Sequence, residues 1–360
     1  MSDPHVHDQH AHGAHDQAHD QHSPHDRRSP HDHRSPAQGA HQHGSAADDD
    51  YTDLLDLDTE VLHVYWSTAL DWVREAAGGA PRTRLLDLGA GTGVGAIGLA
   101  RRFPEAEVVA LDVSPAGLAR VRAKLADLDL AQRVRTVEAD LDLGWPDLGW
   151  PASDASHAPD GLNASPGLSV SPAPSTSPDL SVSADPSVSP TPALDLTWAS
   201  MSLHHMADPG QVLRDALAAT RPGGLIAVAE FAEPLRFLPD DLGFGWSGFE
   251  RRIGDVLGQA HTEEMPTLGS AWAPHLTEAG WHVLAERDFP IDLDPPAHPD
   301  AARYARAWFA RLSEGLADRL EPGDRATLAE LLDEHSPRSV LHRANLHICG
   351  TRTITVARRE

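Results

Sequence analysis

Cations are scarce in this chain and paired cysteines are absent. Of 360 residues, 29 are lysine or arginine against 54 aspartate or glutamate, a formal net charge of −25, and Lys124 is the sole lysine. Gripping a nucleic-acid backbone requires clustered cations, so this balance argues against a nucleic-acid substrate. Cys349 is the one cysteine, which excludes a disulfide framework and a cysteine-based zinc cluster. No apolar run approaches the length of a membrane span, and no hydrophobic signal segment opens the chain. The expected location is therefore cytoplasmic, with no membrane partner. Oligomeric state is not legible from these features.

Two stretches lack the apolar residues needed to fold. Residues 1–50 are dominated by His, Asp, Gln, Ser and Pro, and read as a disordered, His-rich tail. Its His5-Val6-His7 and His31-Asp32-His33 place imidazoles close enough for weak binding of zinc, nickel or copper. Residues 143–193 contain tandem Asp-Leu-Gly-Trp-Pro copies followed by Ser/Pro/Val/Asp repeats, a low-complexity insertion. Such an insertion costs little, because loop-closure entropy grows only logarithmically with length. What remains, about 260 residues, suits a single α/β domain at 51–360 with a helical cover.

The most informative segment of that domain is Leu85-Leu86-Asp87-Leu88-Gly89-Ala90-Gly91-Thr92-Gly93-Val94-Gly95. An apolar strand empties into a glycine-rich turn, and a periodic helical segment follows. Glycines at alternate positions allow positive φ and remove the Cβ atoms that would hold a ligand away from the peptide. A nicotinamide dinucleotide and a sulfonium nucleoside both use such a turn. The dinucleotide fingerprint G-x-G-x-x-G requires a third glycine where this chain has Val94.

The observed G-x-G-x-G, with Asp87 just upstream, resembles motif I of the class I S-adenosylmethionine-dependent methyltransferases. Further segments match that family in order. Val108-Val109-Ala110-Leu111-Asp112 reads as a second strand ending in a carboxylate about 20 residues past the loop, where a ribose-binding acid belongs. A third strand follows at 134–140. Asp140 resembles the family's adenine-binding acid, and Leu141 is placed beside the ring. The fourth strand, 194–201, leads into Leu203-His204-His205-Met206-Ala207-Asp208-Pro209, close to a segment of many small-molecule members, and Arg221-Pro222-Gly223-Gly224 turns into strand five. The last two strands, 281–289 and 351–358, are expected to pair antiparallel at one edge.

The resemblance implies an α/β fold: a seven-stranded, mostly parallel Rossmann-like methyltransferase sheet with an antiparallel edge strand and helical lid insertions at 234–272 and 297–338. It also implies an N-terminal helix over 54–77 lying across the cofactor, with Tyr65 and Trp66 as core residues or contacts. The implied cofactor is S-adenosyl-L-methionine, held by Asp87, Gly89, Ala90, Gly91, Thr92, Gly93, Asp112, Val113, Asp140, Leu141, Ser200 and Met201. The implied activity is methyl transfer to O, N or C of a small-molecule acceptor. His205 or His204 would be the base if the acceptor must lose a proton, with His261 in the lid a weaker candidate, and no resident metal is expected. Bland readings compete: Asp112 could serve the helix cap at Ser114-Pro115, and adjacent histidines often only pack. Two other functions remain open, an NAD-dependent oxidoreductase on the same fold and a metal-binding protein acting through the His-rich tail.

Overall fold

The computed structural model describes residues 45–150, 194–295 and 298–360. The tail up to residue 44 and the insertion from 151 to 193, with their metal-binding and low-complexity readings, lie outside the described residues.

Seven strands form one sheet: β1 (Arg84–Leu88), β2 (Glu107–Asp112), β3 (Val134–Glu138), β4 (Leu194–Ser200), β5 (Thr220–Arg236), β6 (His282–Leu293) and β7 (Ile348–Arg358). Their order is β3-β2-β1-β4-β5-β7-β6. The first five are parallel, and β7 runs antiparallel to both β5 and β6. The strand order reverses between β1 and β4, and in open parallel sheets ligands bind outside the carboxyl ends of the strands at such a point. Gly89 to Gly93, Asp112, Asp140 and Ser200 lie at or just past the carboxyl ends of β1, β2, β3 and β4.

The central strands are apolar without alternation because both faces are covered. Leu85, Val108, Leu196 and Trp198 face one core and Leu86, Val109, Leu111 and Ala199 the other. The first core is closed by α1 (Ser45–Val61), α2 (His63–Ala76), α3 (Val94–Arg102) and α8 (Ala301–Leu316), the second by α5 (Pro209–Ala219) and α7 (Trp272–Glu278). Between β2 and β3 lies α4 (Pro115–Asp127), with α6 (Phe249–Glu264) after β5 and α9 (Pro322–Leu332) after β6. Helix starts follow capping chemistry. Ser114 accepts from the Gly117 N–H at 3.1 Å and Asp208 from the Gln211 N–H at 2.8 Å, each with proline next. On α8, Tyr304, Ala305, Phe309, Leu312 and Leu316 are buried as one stripe.

Four boundaries differ from the sequence expectation. The tail ends earlier, since α1 starts at Ser45 rather than after residue 50. The single helix over 54–77 is two, broken at Leu62. The insertion's first residues are packed rather than loose. Leu148 is buried, its carbonyl accepts from Arg135, and the Trp150 indole donates to Glu107 at 2.9 Å beneath the same guanidinium. Finally, β5 takes in the Arg221–Gly224 turn, with Gly223 at φ +77°, and runs on to Arg236. Among the described residues no helix is long and apolar enough to cross a membrane.

Candidate active site

The loop after β1 is a backbone structure. Gly89 and Ala90 both donate to the Leu111 carbonyl at 2.9 Å, tying the loop to the end of β2, and Gly93 donates to Ala90 at 2.8 Å. Gly89 has φ +70°, and a Cβ there would lie 2.3 Å from the Ser202 Cβ. Gly93 has φ +90°, and its Cβ would lie 2.9 Å from Val121. These two glycines therefore serve contact within the protein. At Gly91, φ +52°, an added Cβ would lie 3.0 Å from Leu55 Cδ1 of α1, so there the covering helix packs against the peptide. Thr92 is buried, and its carbonyl accepts from Lys124 Nζ at 3.0 Å. That lysine also meets Asp56 of α1 at 2.5 Å.

The acids flanking this loop divide in role. Asp87 is buried and accepts from the Ala96 N–H at 2.5 Å, so it anchors the first turn of α3 rather than facing the opening. Burial pushes its carboxyl up to about 7, with the Ala96 bond opposing and the nearby Asp112 charge adding. Asp112, at the tip of β2, accepts from the Gly91 N–H at 2.7 Å and the Ser114 N–H at 2.8 Å, one on each oxygen. The Val113 N–H adds a third backbone bond, which leaves one lone-pair site for a further donor. Burial raises its pKa against those backbone bonds. Beside it, Val113 is 57% exposed, an unusual position for valine unless something covers it. Asp140 is exposed just past β3, and Leu141 is buried behind it. Asp112 at the tip of β2, the uncovered Val113 and the exposed Asp140 make a surface suited to a sugar diol and a flat ring.

On the other side of β1 the site is built from side chains. Ser200 ends β4 with its hydroxyl buried and unpartnered, and Met201 adopts φ +54°. Positive φ in a non-glycine residue is strained and persists only where surroundings enforce it. Here Met201 donates to the Ala229 carbonyl at 2.9 Å, and Ser202 Oγ donates to Leu88 at 2.9 Å. The chain then makes a 3₁₀ turn, Leu203–His205. His204 is buried, and its Nδ1 lies 2.6 Å from Glu230 Oε2 on β5; the other Glu230 oxygen accepts from the Leu203 N–H at 3.2 Å. A carboxylate on Nδ1 selects the tautomer that leaves Nε2 as a proton acceptor. His205 is exposed, its ring centroid 4.1 Å from that of His204. His261 of α6 is half-buried, and burial, then the His204 charge, push its pKa down.

The structure thus gathers Gly89 to Gly93, Asp112, Val113, Asp140 and Leu141 at one end of the strand tips, and Ser200, Met201, His204 and His205 at the other. Sequence reading missed Glu230. Its signal was an acid inside the apolar run Leu225–Phe231, which a buried strand tolerates only with a partner. It also missed Asp58 and Arg352, 294 residues apart, which meet at 2.5 Å in a buried ion pair. A separate group, the exposed Asp292 and Asp294 with half-buried His347, lies at the ends of β6 and β7.

Residues 86–226 match the family model described as a methyltransferase domain. The chain is 52% identical over 65 residues to the malonyl-[acyl-carrier protein] O-methyltransferase of Halorhodospira halophila, covering 18% of this chain and 21% of that protein. It is 28% identical over 124 residues to the 27-O-demethylrifamycin SV methyltransferase of Amycolatopsis mediterranei, covering 34% and 37%. Among solved structures, phosphoethanolamine N-methyltransferase 2 of Haemonchus contortus, in complex with S-adenosyl-L-methionine, is similar at 12% identity and a TM-score of 0.45, covering 89% of this chain and 58% of that one. The chain spans only 21% to 51% of the length of the curated relatives it matches. Strand order and cradle define an α/β domain of the kind that seats a nucleotide-like cofactor at its switch point. The matched segment, residues 86–226, is similar to a methyltransferase domain.

Proposed function

We propose that this protein transfers a methyl group from S-adenosylmethionine to an oxygen of a small-molecule acceptor, with His204 as the general base. The observation that carries the choice of base is the buried His204–Glu230 pair at 2.6 Å. Between the two neighbouring histidines, it favours the one whose ring is oriented by a carboxylate. The curated relatives named as O-methyltransferases, including those of ubiquinone biosynthesis, support oxygen as the accepting atom over nitrogen or carbon.

In this reading Asp112 holds a ribose hydroxyl, and Val113, Asp140 and Leu141 border the adenine. Asp87 acts from behind, fixing the first turn of α3 and so the loop. Ser200 and Met201 lie where the methionine end reaches β4. When bound, the cofactor supplies an activated methyl group on a sulfonium, so no side chain has to carry that group covalently. What the chain contributes is alignment, exclusion of water and removal of one proton. His204 Nε2 takes the acceptor's hydroxyl proton, and Glu230 stabilises the resulting imidazolium through Nδ1.

The test is methyl transfer from labelled S-adenosylmethionine to a panel of phenols and alcohols. Replacing His204 with glutamine should abolish most turnover while leaving S-adenosylhomocysteine affinity unchanged. Retained turnover in that variant, or loss only in His205→Gln, would reject His204 as the base.

A further inference from the structure

Where β6 ends and β7 begins, the sheet gathers a polar group that methyl transfer does not use. Asp292 is paired with Cys349 and Leu293 with Ile348, so one step further along the ribbon Asp294 stands opposite His347. Side chains alternate between the two faces of a strand, and residues two apart share a face. Burial decides which face. Ile291 and Ile348 are 4% and 0% exposed in the core, which turns Asp292, Asp294 and His347 together to the opposite side. His347 Nε2 lies 2.5 Å from Asp292 Oδ1 and 3.9 Å from Asp294 Oδ1. One donor atom from each residue falls within 4.8 Å of the other two. The backbone beneath is fixed, since the His347 N–H donates to the Phe237 carbonyl just past β5 at 3.0 Å. In the chain Asp292 and His347 are 55 residues apart, so no local motif announces the group.

We propose that Asp292, Asp294 and His347 bind a divalent transition cation of the zinc class, a site that does not depend on the methyltransferase reading. A hydrogen bond to His347 needs only one carboxylate. The second, brought to the same face by the same register, adds a like charge beside the first, and among the described residues neither aspartate has an arginine or lysine within ion-pair distance. A bound dication neutralises both charges at once. The donor set narrows the metal: an imidazole nitrogen favours zinc, nickel or copper over magnesium and calcium, and three protein donors leave a fourth position for water. The spacing also fits. Tetrahedral donors about 2.1 Å from zinc sit about 3.4 Å from one another, a value between the 2.5 Å and 3.9 Å observed. Side-chain rotation closes the difference, because the aspartate side chains are 75% and 95% exposed and free to turn while His347 is held. Bound there, the cation clamps the end of β6 to the start of β7.

The experiment treats the full chain with diethyl pyrocarbonate, with and without zinc sulfate, and follows carbethoxylation of the His347 peptide by mass spectrometry. Reading that one peptide separates this site from the histidines of the tail, which every variant keeps. At micromolar free zinc the His347 rate should fall at least fivefold in the wild type. In the Asp292→Asn/Asp294→Asn chain, where both exposed side chains keep their size and lose their charge, zinc should change that rate less than twofold. Melting adds a second reading, because a cation that joins two strands stabilises only the folded chain. The rise caused by zinc should be larger in the wild type than in the double variant by a few degrees, and cooperative melting of the variant shows that it folds. No protection of His347 in the wild type overturns the inference. Equal protection in both chains does so too, because the imidazole alone would then be holding an adventitious ion. Magnesium protecting as well as zinc would overturn the assignment to a transition cation.

Discussion

The cradle end of the site and the base end are made of different material. From Gly89 to Gly93 the contacts are peptide to peptide, within a loop and between two adjacent strand tips, and the chemistry depends on missing side chains. At the base end the contacts join side chains distant in sequence: His204 to Glu230, 26 residues apart, and Asp58 to Arg352, 294 apart. A cradle of the first kind can be altered only by adding atoms or removing Asp112. A site of the second kind fails when any one partner is lost, because the other is left buried and unpaired.

That contrast predicts where substitutions act. The largest effect expected is His204→Gln, with turnover down by about 10²- to 10⁴-fold, the usual share of a general base, and cofactor affinity unchanged. Steady-state kinetics beside calorimetry separates the two, and equal losses in both would erase the division between the ends. Next, Asp58→Ala leaves Arg352 as an unpaired buried cation and should cost about 3–5 kcal/mol of stability in chemical denaturation. A loss under 1 kcal/mol would mean the ion pair is not the support it looks to be. Asp112→Ala removes an acceptor shared by Gly91 and Ser114 and should weaken S-adenosylhomocysteine binding by about tenfold or more, with little change in turnover at saturation.

A smaller effect comes from Asp87. Its carboxyl is raised from 3.8 to about 7 in the folded state, so between those values the native protein holds a proton that the unfolded chain has released. Its contribution to stability therefore falls as pH rises from 4 to 7 and stays low above that. Melting temperatures measured across pH 5–8 should decline less steeply in Asp87→Asn than in the wild type, and parallel curves would contradict the assignment. The smallest effect is deletion of residues 1–43, which leaves both ends of the site intact and should leave turnover unchanged. Lost turnover would give the His-rich tail a role in catalysis.

The same contrast governs what the sequence could tell. The positions of Gly89, Gly91, Gly93 and Asp112 were legible because they are set locally: a turn, a strand tip and a fixed spacing suffice to place them. The seven-stranded, mostly parallel sheet was implied by the family resemblance that the ordered segments carry. Glu230 was half-legible, an acid in an apolar run without a visible partner. Arg352 sits in the polar-looking alternation Thr351-Arg352-Thr353, where an outward-facing arginine is the ordinary expectation. Its burial depends on β7 inserting between β5 and β6 and on α1 folding back over the sheet, neither of which any local pattern encodes. The ranking of His205 with His204 was likewise beyond the sequence. Adjacent residues in a 3₁₀ turn point in different directions, and only the register of β5 decides which one meets a carboxylate.

Calorimetric titration of the full chain with S-adenosylhomocysteine, beside Asp112→Ala and His204→Gln, tests the central claim most directly. The account predicts saturable one-to-one binding in the wild type, a clear loss in Asp112→Ala and none in His204→Gln. No binding in the wild type, or binding indifferent to Asp112, would contradict it.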